Sequence, residues 1–489
     1  MTWGSKIIHI AQNYMMYTQE GKSMTGIPFL IVFILAIVVM IIMISKFKIH
    51  PFLSIMLVSM VLGLIGGIPW ANTTDADGNT INGIATVIGA GFSSTFTSIG
   101  IVIIFGAMIG TFLEATGAAL KLADMVVNLV GPKHPELAIE LMGWVVSIPV
   151  FCDSGFVVLN PIRKAMVKKT GTSSVAMTVC LSAGLYASHV FIPPTPGPIA
   201  AANTMGVGEH LLLVMGLGAI VSIPALAGAY FYAKYIGGKI KANDEADSVN
   251  EGEVVQSYEE LVASFGKLPS GFMSLAPIIV PILLMALSNV SSILKWSGAL
   301  ATACSFLGTP IIALAVGVVF GIILLVQNGK ADKLYDLTNE TLKTVGPILF
   351  VTAAGGVLGK VIASTSIVAF ITDNAATLQT IGIFFPFLLA AILKTAQGSS
   401  TVAITTTAGI MAPLLAPLGM ASVPMTALCV MAIGAGAMTV SHANDSYFWV
   451  VSNFGGMTPD QGYKTQTMAT LVEGICAMAG IFVLSLFIH

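Results

Sequence analysis

Residues 380–418 read TIGIFFPFLLAAILKTAQGSSTVAITTTAGIMAPLLAPL, and this stretch decides the fold. Its first apolar run, Thr380 to Leu393, reaches roughly 21 Å as a helix, against about 30 Å of hydrocarbon in a bilayer. The polar segment 394–401 then separates it from a second apolar run that begins at Val402. Such backbone is tolerated at membrane depth only where protein buries it or where it lines a watery cavity. The stretch predicts a re-entrant hairpin with a binding site at its tip; the alternative is one long transmembrane helix with a glycine kink.

The composition is that of a polytopic membrane protein. The 489 residues are 56% hydrophobic and 9% charged, whereas soluble domains carry about 25% charged residues. The net charge of −2 and the lack of a long basic tract exclude nucleic acid as a partner. The five cysteines have no CxxC or metal-type spacing, and we expect no disulfide, no metal site and no cofactor. Residues 1–25 carry no cleavage signal, so Gly26 to Ile44 is expected to remain as a spanning helix.

Sequential apolar runs predict ten membrane crossings. They lie near residues 26–45, 49–70, 98–116, 174–206, 209–236, 272–288, 301–326, 345–363, 422–450 and 466–488. A second hairpin is predicted at about 137–168, where two short apolar runs flank the polar tip Cys152-Asp153-Ser154-Gly155. The spans 174–206 and 422–450 are predicted to be broken helices, because SHVFIPPTPGP and SHANDS interrupt them.

The two halves of the chain match each other. Gly100 aligns with Gly346 at a shift of 246 residues, and Ser188-His189 aligns with Ser441-His442 at a shift of 253. Each half holds five transmembrane spans, one of them a broken helix, plus one re-entrant hairpin, and this odd number of crossings forces an inverted topology. The predicted fold is therefore an all-α integral membrane protein built as an inverted repeat, as in secondary transporters. The halves are 1–240 and 271–489, with the hairpin of the second half at about 380–418 and an acidic cytoplasmic linker at 241–270.

Lysine and arginine predict the orientation. If the loops that follow alternate spans are cytoplasmic, they hold 16 of the 21 Lys and Arg residues, while Lys6, Lys22 and Lys295 lie on the opposite side. Both termini are then outside. The remaining two, Lys360 and Lys394, fall within the membrane. Lys360 aligns with Glu114, and this match is compatible with an ion pair or with a substrate contact. Lys394 is expected either to extend its ammonium toward the membrane surface or to attract an anion.

Two intramembrane carboxylates are the predicted proton-coupling residues. Asp153 lies at the first hairpin tip and Asp445 in the second broken span. A carboxylate at this depth is costly unless it is paired, hydrated or neutralised, and it marks a proton or substrate path. The alternative is that Asp153 caps a helix that starts at Phe156 and that Asp445 caps one that starts at Ser446; both roles are compatible with coupling.

Neutral hydrogen-bonding groups surround these acids in the sequence. His189 and His442 occupy matching positions in the two broken spans, where they either bind substrate or pack as neutral rings. Glycines at the tips allow close backbone approach, and helix N-termini there favour a carboxylate. The predicted substrate-binding residues are Ser154, Gly155, His189, Thr195, Gln397, Gly398, Ser399, Ser400, Thr401, Ser441, His442 and Asn444.

The segments FCDSGF, SHVFIPPTPGP, LKTAQGSSTVA and SHANDSYFW resemble the gluconate permease (GntP-type) family of proton-coupled symporters, within the wider ion-transporter superfamily. The resemblance covers nearly the whole chain. It implies a bacterial inner-membrane carrier for gluconate, related sugar acids or similar small hydroxy-acids, with D-serine or another small organic acid as the alternative substrate. It also implies a homodimer that moves a transport domain against a scaffold. Thr195 departs from the family pattern, which often has His there.

Two other function classes compete with a carrier. An intramembrane enzyme needs an activated nucleophile with a base in reach, and no GxSxG or HExxH motif is present, so we predict that the chain is not an enzyme. A channel remains the second alternative, because inverted repeats also build pores. Saturable exchange of labelled for unlabelled substrate distinguishes a carrier from both.

Overall fold

A computed structural model describes residues 26–75, 77–131, 134–242, 268–366, 368, 370, 373 and 381–488. The described chain is helical apart from short connections and one small hairpin, β1 (Thr73–Thr74) and β2 (Thr80–Ile81), which pair antiparallel with Thr73 opposite Ile81. The helices of the first half are α1 (Gly26–Ser45), α2 (Pro51–Ile65), α3 (Ile84–Thr116), α4 (Ala118–Val130), α5 (Pro135–Val146), α6 (Cys152–Thr170), α7 (Ser174–Phe191), α8 (Pro196–Thr204) and α9 (Leu211–Gly237).

The second half contains a similar set of helices. They are α10 (Gly271–Ile293), α11 (Gly298–Gly308), α12 (Pro310–Gln327), α13 (Leu334–Ala363), α14 (Phe384–Gln397), α15 (Ser400–Met411), α16 (Val423–Met438), α17 (Ser446–Phe454), α18 (Pro459–Gly462) and α19 (Met468–Ser485). A π-helical segment, Tyr463–Thr467, joins α18 to α19. The acidic part of the predicted linker, residues 243–267, and Thr380 at the start of the predicted hairpin lie outside the described residues.

Eight stretches of the described chain are long and apolar enough to cross a membrane, where the sequence predicted ten. The predicted span 49–70 forms only α2, which has 15 residues and ends at Ile65, because Gly66, Gly67 and Pro69 follow. The predicted span 422–450 forms two short helices, α16 and α17, with a non-helical segment between them. The predicted span 301–326 is also divided, into α11 and α12.

The order of helix types recurs in the two halves. A long helix (α3 or α13) comes before two helices that a short break separates (α5 and α6, or α14 and α15). A divided pair follows, and then one further apolar helix (α9 or α19). The divided pairs are α7 with α8, and α16 with α17, and they break at the segments where the sequence predicted interruption. The inverted orientation of the halves and the re-entrant course of the hairpins stay predictions.

Helix α7 forms the centre of the packed core. Every residue of α7 is buried, and the helix packs against α5, α6 and α9. At the periphery, α1 exposes large apolar side chains such as Ile27, Ile31 and Leu35. An exposed apolar face of this kind is suited to contact with lipid.

Glycines bring α13 and α15 into close backbone contact. A Cβ atom on Gly409 of α15 would collide with the carbonyl oxygen of Gly355, and one on Gly359 would collide with the carbonyl oxygen of Gly409. Helix α13 also packs along α3 on another side. At these positions the two backbones therefore lie in contact without intervening side chains.

Candidate functional site

Three helices begin at one cavity of about 570 Å³. These helices are α6, α15 and α17, and each presents residues of its first turn to the cavity. The free N–H groups of a helix N-terminus carry partial positive charge and bind anions. The remaining walls come from α7, from the start of α2 and from α13. The cavity is lined by His50, Pro51, Phe151, Cys152, Asp153, Ser154, Tyr186, His189, Thr344, Pro347, Ile348, Val351, Gly398, Ser399, Ser400, Thr401, Val402, Asn444, Asp445, Ser446 and Tyr447.

The break between α5 and α6 lies earlier than the sequence predicted. The predicted tip was 152–155, whereas the structure places the non-helical residues at 147–151 and begins α6 at Cys152. Pro149 explains the difference, because it lacks an N–H donor and disfavours helical backbone at the residue before it. The hydroxyl of Ser147 donates to the carbonyl oxygen of Val150 at 2.8 Å and holds the turn.

Asp153 consequently lies in the first turn of α6 and faces the cavity. The predicted alternative, in which Asp153 caps a helix that starts at Phe156, is wrong because the helix starts at Cys152. The hydroxyl of Ser446 donates to the Asp153 carboxylate at 3.1 Å, and the Cys152 thiol lies 3.6 Å from its other oxygen. Asp153 thus links the start of α6 to the start of α17. Its neighbour Ser154 shares a side-chain hydrogen bond with Glu114 of α3.

The break between α14 and α15 depends on Gly398. Its φ is +90°, and a Cβ atom at this position would collide with the carbonyl oxygen of Asn444. Both conditions require glycine. Ser399 then caps α15, because its side chain accepts a hydrogen bond from the N–H of Val402 at 3.3 Å. The geometry places the backbone of Gly398 directly against the segment that precedes α17.

Asp445 is both a helix cap and an ion-pair partner. Its Oδ1 accepts a hydrogen bond from the N–H of Tyr447 at 3.1 Å, so it caps α17. Its Oδ2 lies 2.5 Å from Nζ of Lys394 and accepts from the hydroxyl of Ser441, also at 2.5 Å. Lys394 additionally donates to the carbonyl oxygen of Gly398. The predicted capping role of Asp445 is therefore present, and its charge is balanced by a buried ammonium.

The two histidines occupy different environments although they match in sequence. His189 is buried in the cavity wall, with its ring centroid 6.1 Å from that of Phe151 and 6.5 Å from that of Tyr186. His442 does not line the cavity; its Nε2 lies 2.9 Å from the carbonyl oxygen of Thr395. Of these two histidines, His189 lines the cavity and is placed to contact a bound molecule.

Two polar atoms of the cavity wall are buried and lack a hydrogen-bond partner within the described part of the chain. They are Nδ1 of His189 and Oδ1 of Asn444. The amide of Asn444 is held in place because its Nδ2 donates to the carbonyl oxygen of Thr395 at 2.9 Å. Buried polar groups without partners are costly, so these two atoms are suited to hydrogen bonds with a ligand.

Most of the predicted site residues converge on this cavity. Those that line it are Asp153, Ser154, His189, Gly398, Ser399, Ser400, Thr401, Asn444 and Asp445. Gly155, Thr195, Ser441 and His442 lie outside the lining, and Gln397 is the last residue of α14. The Thr195 hydroxyl donates to the carbonyl oxygen of Ile192 at 2.6 Å, within its own turn.

Several lining residues were not predicted from the sequence. Tyr186 and Tyr447 form an aromatic wall, with ring centroids 5.1 Å apart. Tyr447 belongs to the SHANDSYFW motif, two residues after Asp445, so the sequence does indicate that it lies near the site. His50 and Thr344 come from α2 and α13, and no local sequence pattern marks them because tertiary packing brings them to the cavity.

Comparisons with known proteins identify relatives along nearly the whole chain. Residues 28–487 match the model of the GntP family permease. An uncharacterized permease of Haemophilus influenzae is 35% identical over 89% of this chain and 87% of its own length. The gluconate permease of Zymomonas mobilis is 29% identical over 93% of this chain and 97% of its own length.

The fold is similar to that of solved transporters. The YdaH transporter of Alcanivorax borkumensis superimposes with a TM-score of 0.60 at 16% sequence identity, over 89% of this chain and 97% of that one. At this level of identity the likeness concerns the fold alone. The sequence relatives are permeases rather than enzymes.

Proposed function

Since the chain belongs to the GntP permease family, we propose that it is a secondary active transporter that imports a small hydroxylated monocarboxylate, gluconate or a related sugar acid, together with protons. Family membership and the apolar helices make it a multi-pass protein of the inner membrane. The gluconate permease among its relatives supports the substrate class. The proposal for the substrate is carried by the chemistry of the cavity where α6, α15 and α17 begin.

The cavity suits one carboxylate and several hydroxyls. Three helix N-termini provide neutral donors for the carboxylate, and Ser399, Ser400 and Thr401 add hydroxyl groups on α15. His189 and Asn444 offer a ring nitrogen and an amide oxygen to substrate hydroxyls. Neither lysine nor arginine is among the described lining residues, so a second carboxylate would lack a compensating charge.

Asp153 supports coupling to protons. An anionic substrate that enters beside an ionised Asp153 meets a like charge at short range. A proton on Asp153 removes this repulsion, so the anion and the proton bind together. Asp445 remains a second candidate, but the ammonium of Lys394 already balances its charge, which favours Asp153 as the carrier.

A zwitterion such as D-serine is the second candidate substrate. Asp153 in its ionised form would accept the ammonium group while the helix N-termini bind the carboxylate. The charge on Asp153 separates the two candidates, because a sugar acid requires the protonated form and a zwitterion the ionised form. The pH dependence of competition between gluconate and D-serine therefore distinguishes them.

The proposed alternating access is of the elevator type. The cavity lies between the helix ends that bear the polar tips and one face of α13, so substrate would rest at an interface between two bodies. The glycine contact between α13 and α15 favours sliding, because few side chains would need to repack. A homodimer, as the family resemblance implies, would provide a fixed scaffold.

Reconstituted liposomes test this function. We expect saturable counterflow of labelled gluconate without any gradient, and accumulation when the outside is made acidic. A sodium gradient at constant pH should not drive uptake. Sodium-driven uptake that is indifferent to a protonophore would contradict proton coupling, and a flux that does not saturate would indicate a channel.

A further inference from the structure

A second polar cluster lies on the far side of Tyr447 from the substrate cavity. The hydroxyl of Tyr447 donates to the carbonyl oxygen of Ser182 in α7 at 3.0 Å. The hydroxyl of Ser182 donates in turn to Oε1 of Gln466 at 2.8 Å. Gln466 is completely buried and belongs to the π-helical segment that precedes α19. Hydrogen bonds thus run from the cavity wall through the core to α19.

Two buried carboxyl groups adjoin the end of this chain of hydrogen bonds. Glu473 lies in α19, seven residues after Gln466 in the sequence. Glu140 comes from α5, which packs against α7, and it lies within electrostatic range of Glu473. The exposed fraction is 0% for Glu473 and 1% for Glu140.

Neither carboxyl group is fully satisfied by the described residues. Both oxygens of Glu473 and Oε1 of Glu140 are buried without a hydrogen-bond partner, and so is Nε2 of Gln466. Two ionised carboxylates in this position would combine the cost of desolvation with mutual repulsion. Protons remove both penalties, and a carboxylic acid can also donate a hydrogen bond to its neighbour.

We propose that Glu140 and Glu473 form a buried proton-binding site, connected to the substrate cavity through Gln466, Ser182 and Tyr447. The site would hold protons that accompany the substrate, in addition to any proton on Asp153. This inference rests on the proposed symport for its role, but the presence of protons on the pair does not depend on the identity of the substrate.

A metal cation fits the pair less well than a proton. Sodium needs about six oxygen ligands, whereas the cluster offers three unpartnered carboxyl oxygens and an amide nitrogen that repels cations. The other titratable groups that interact with the pair are Cys180 and Tyr447 of the neighbouring helices and Cys476 of α19 itself. These groups are neutral at physiological pH, so they supply no opposite charge.

Substitution by glutamine separates a proton carrier from a structural residue. Glu473→Gln keeps the size and hydrogen-bonding capacity of a protonated carboxyl group but cannot release a proton. In liposomes we expect this variant to retain substrate exchange at a reduced rate. The accumulation driven by an acidic exterior should fall by a factor of about ten or more. Glu136→Gln, one turn earlier in α5 than Glu140, is the matched control and should accumulate like the unmodified protein.

A second variant, Glu473→Asp, is needed if Glu473→Gln also loses exchange. Recovery of exchange and accumulation by the aspartate variant would support a required carboxyl group. Loss of exchange in both variants would overturn the inference, because the side chain would then serve the fold. Unchanged accumulation in Glu473→Gln would overturn it as well.

A substrate-independent measurement keeps this inference distinct from the proposed function. Infrared difference spectra of the purified protein at neutral pH, with and without the double substitution Glu140→Gln and Glu473→Gln, should contain the C=O band of protonated carboxyl groups. The presence of that band supports the site even if gluconate is not transported. Its absence would overturn the site even if gluconate symport is confirmed.

Discussion

The ammonium of Lys394 lies 2.5 Å from the carboxylate of Asp445, and both side chains are buried. The pair ties the end of α14 to the start of α17, across 51 residues of sequence. Lys394 also donates to the carbonyl oxygen of Gly398, so one side chain orders both polar segments at the cavity. The charges balance each other, which leaves the helix N-termini to bind an anion.

Removal of Lys394 should destabilise the protein strongly. Lys394→Met leaves Asp445 ionised and buried without its partner, which typically costs about 3–5 kcal/mol of the free energy of unfolding. The double variant Lys394→Met with Asp445→Asn should recover much of this loss, because no uncompensated charge remains. Thermal unfolding of the purified protein in detergent measures both effects.

The control for this prediction is Lys360→Met, which removes an exposed lysine in α13. We expect a change within about 0.5 kcal/mol there. If Lys394→Met unfolds at the same temperature as the unmodified protein, the ion pair with Asp445 does not hold the site together.

Single cysteines should reveal the watery surroundings of the two polar tips. Ser154→Cys and Ser399→Cys both line the cavity, and we expect each to react with water-soluble thiol reagents and to be protected by added substrate. Thr178→Cys, which replaces a buried residue of α7, should add no reactivity beyond that of the native cysteines and is the control. A cavity closed to water in every state would leave all three equally inert.

Asp153→Asn should uncouple transport from protons. The amide keeps the hydrogen-bonding shape next to Ser446 but has no charge to titrate, so exchange should persist while proton-driven accumulation is lost. Parallel counterflow and accumulation assays measure the two activities. Asp332→Asn, in an exposed segment before α13, is the control; equal accumulation by the Asp153 and Asp332 variants would refute the coupling role.

Local chemistry predicted the helix breaks better than it predicted the contacts. AQGSS and SHANDS mark the ends of α14 and α16 because glycine and clustered polar residues oppose a continuous helix at those points. The polar residues Asp153 and Gly155 predict the first tip too late in the chain, because the helix break depends on Pro149. Proline interrupts a helix more strongly than Asp does, and an Asp side chain is stabilised in the first turn of a helix.

Contacts between distant segments could not be read from the sequence. Lys394 was predicted to snorkel or to attract an anion, yet its partner is Asp445, and only the approach of α14 to α17 brings the two together. The difference between His189 and His442 has the same origin, because matching sequence positions do not guarantee matching neighbours. Glu140 and Glu473 gave no sequence signal as a pair for this reason.

The last prediction concerns the charge of the substrate. A dianion such as succinate would need two compensating charges in the cavity, and bidentate arginine is the usual partner for a second carboxylate. Arg163, the only arginine of the chain, is buried away from the cavity lining and donates to Asn160 and Ser174. Lys394 is occupied by Asp445.

Hydroxylated monocarboxylates should therefore compete better than acids with two or three carboxyl groups for the same uptake. We expect gluconate, glycerate or D-serine to inhibit uptake of labelled gluconate at lower concentrations than succinate or citrate does. The carboxylate would lie near Ser399, Ser400 and Thr401, with the hydroxyls toward Asp153 and Asn444. Ser400→Ala should therefore weaken competition by gluconate. Asn444→Ala should also weaken competition, but less for acids that carry fewer hydroxyls. Stronger competition by succinate or citrate would mean that the cavity holds a second positive charge, and the assignment of a monocarboxylate would then be wrong.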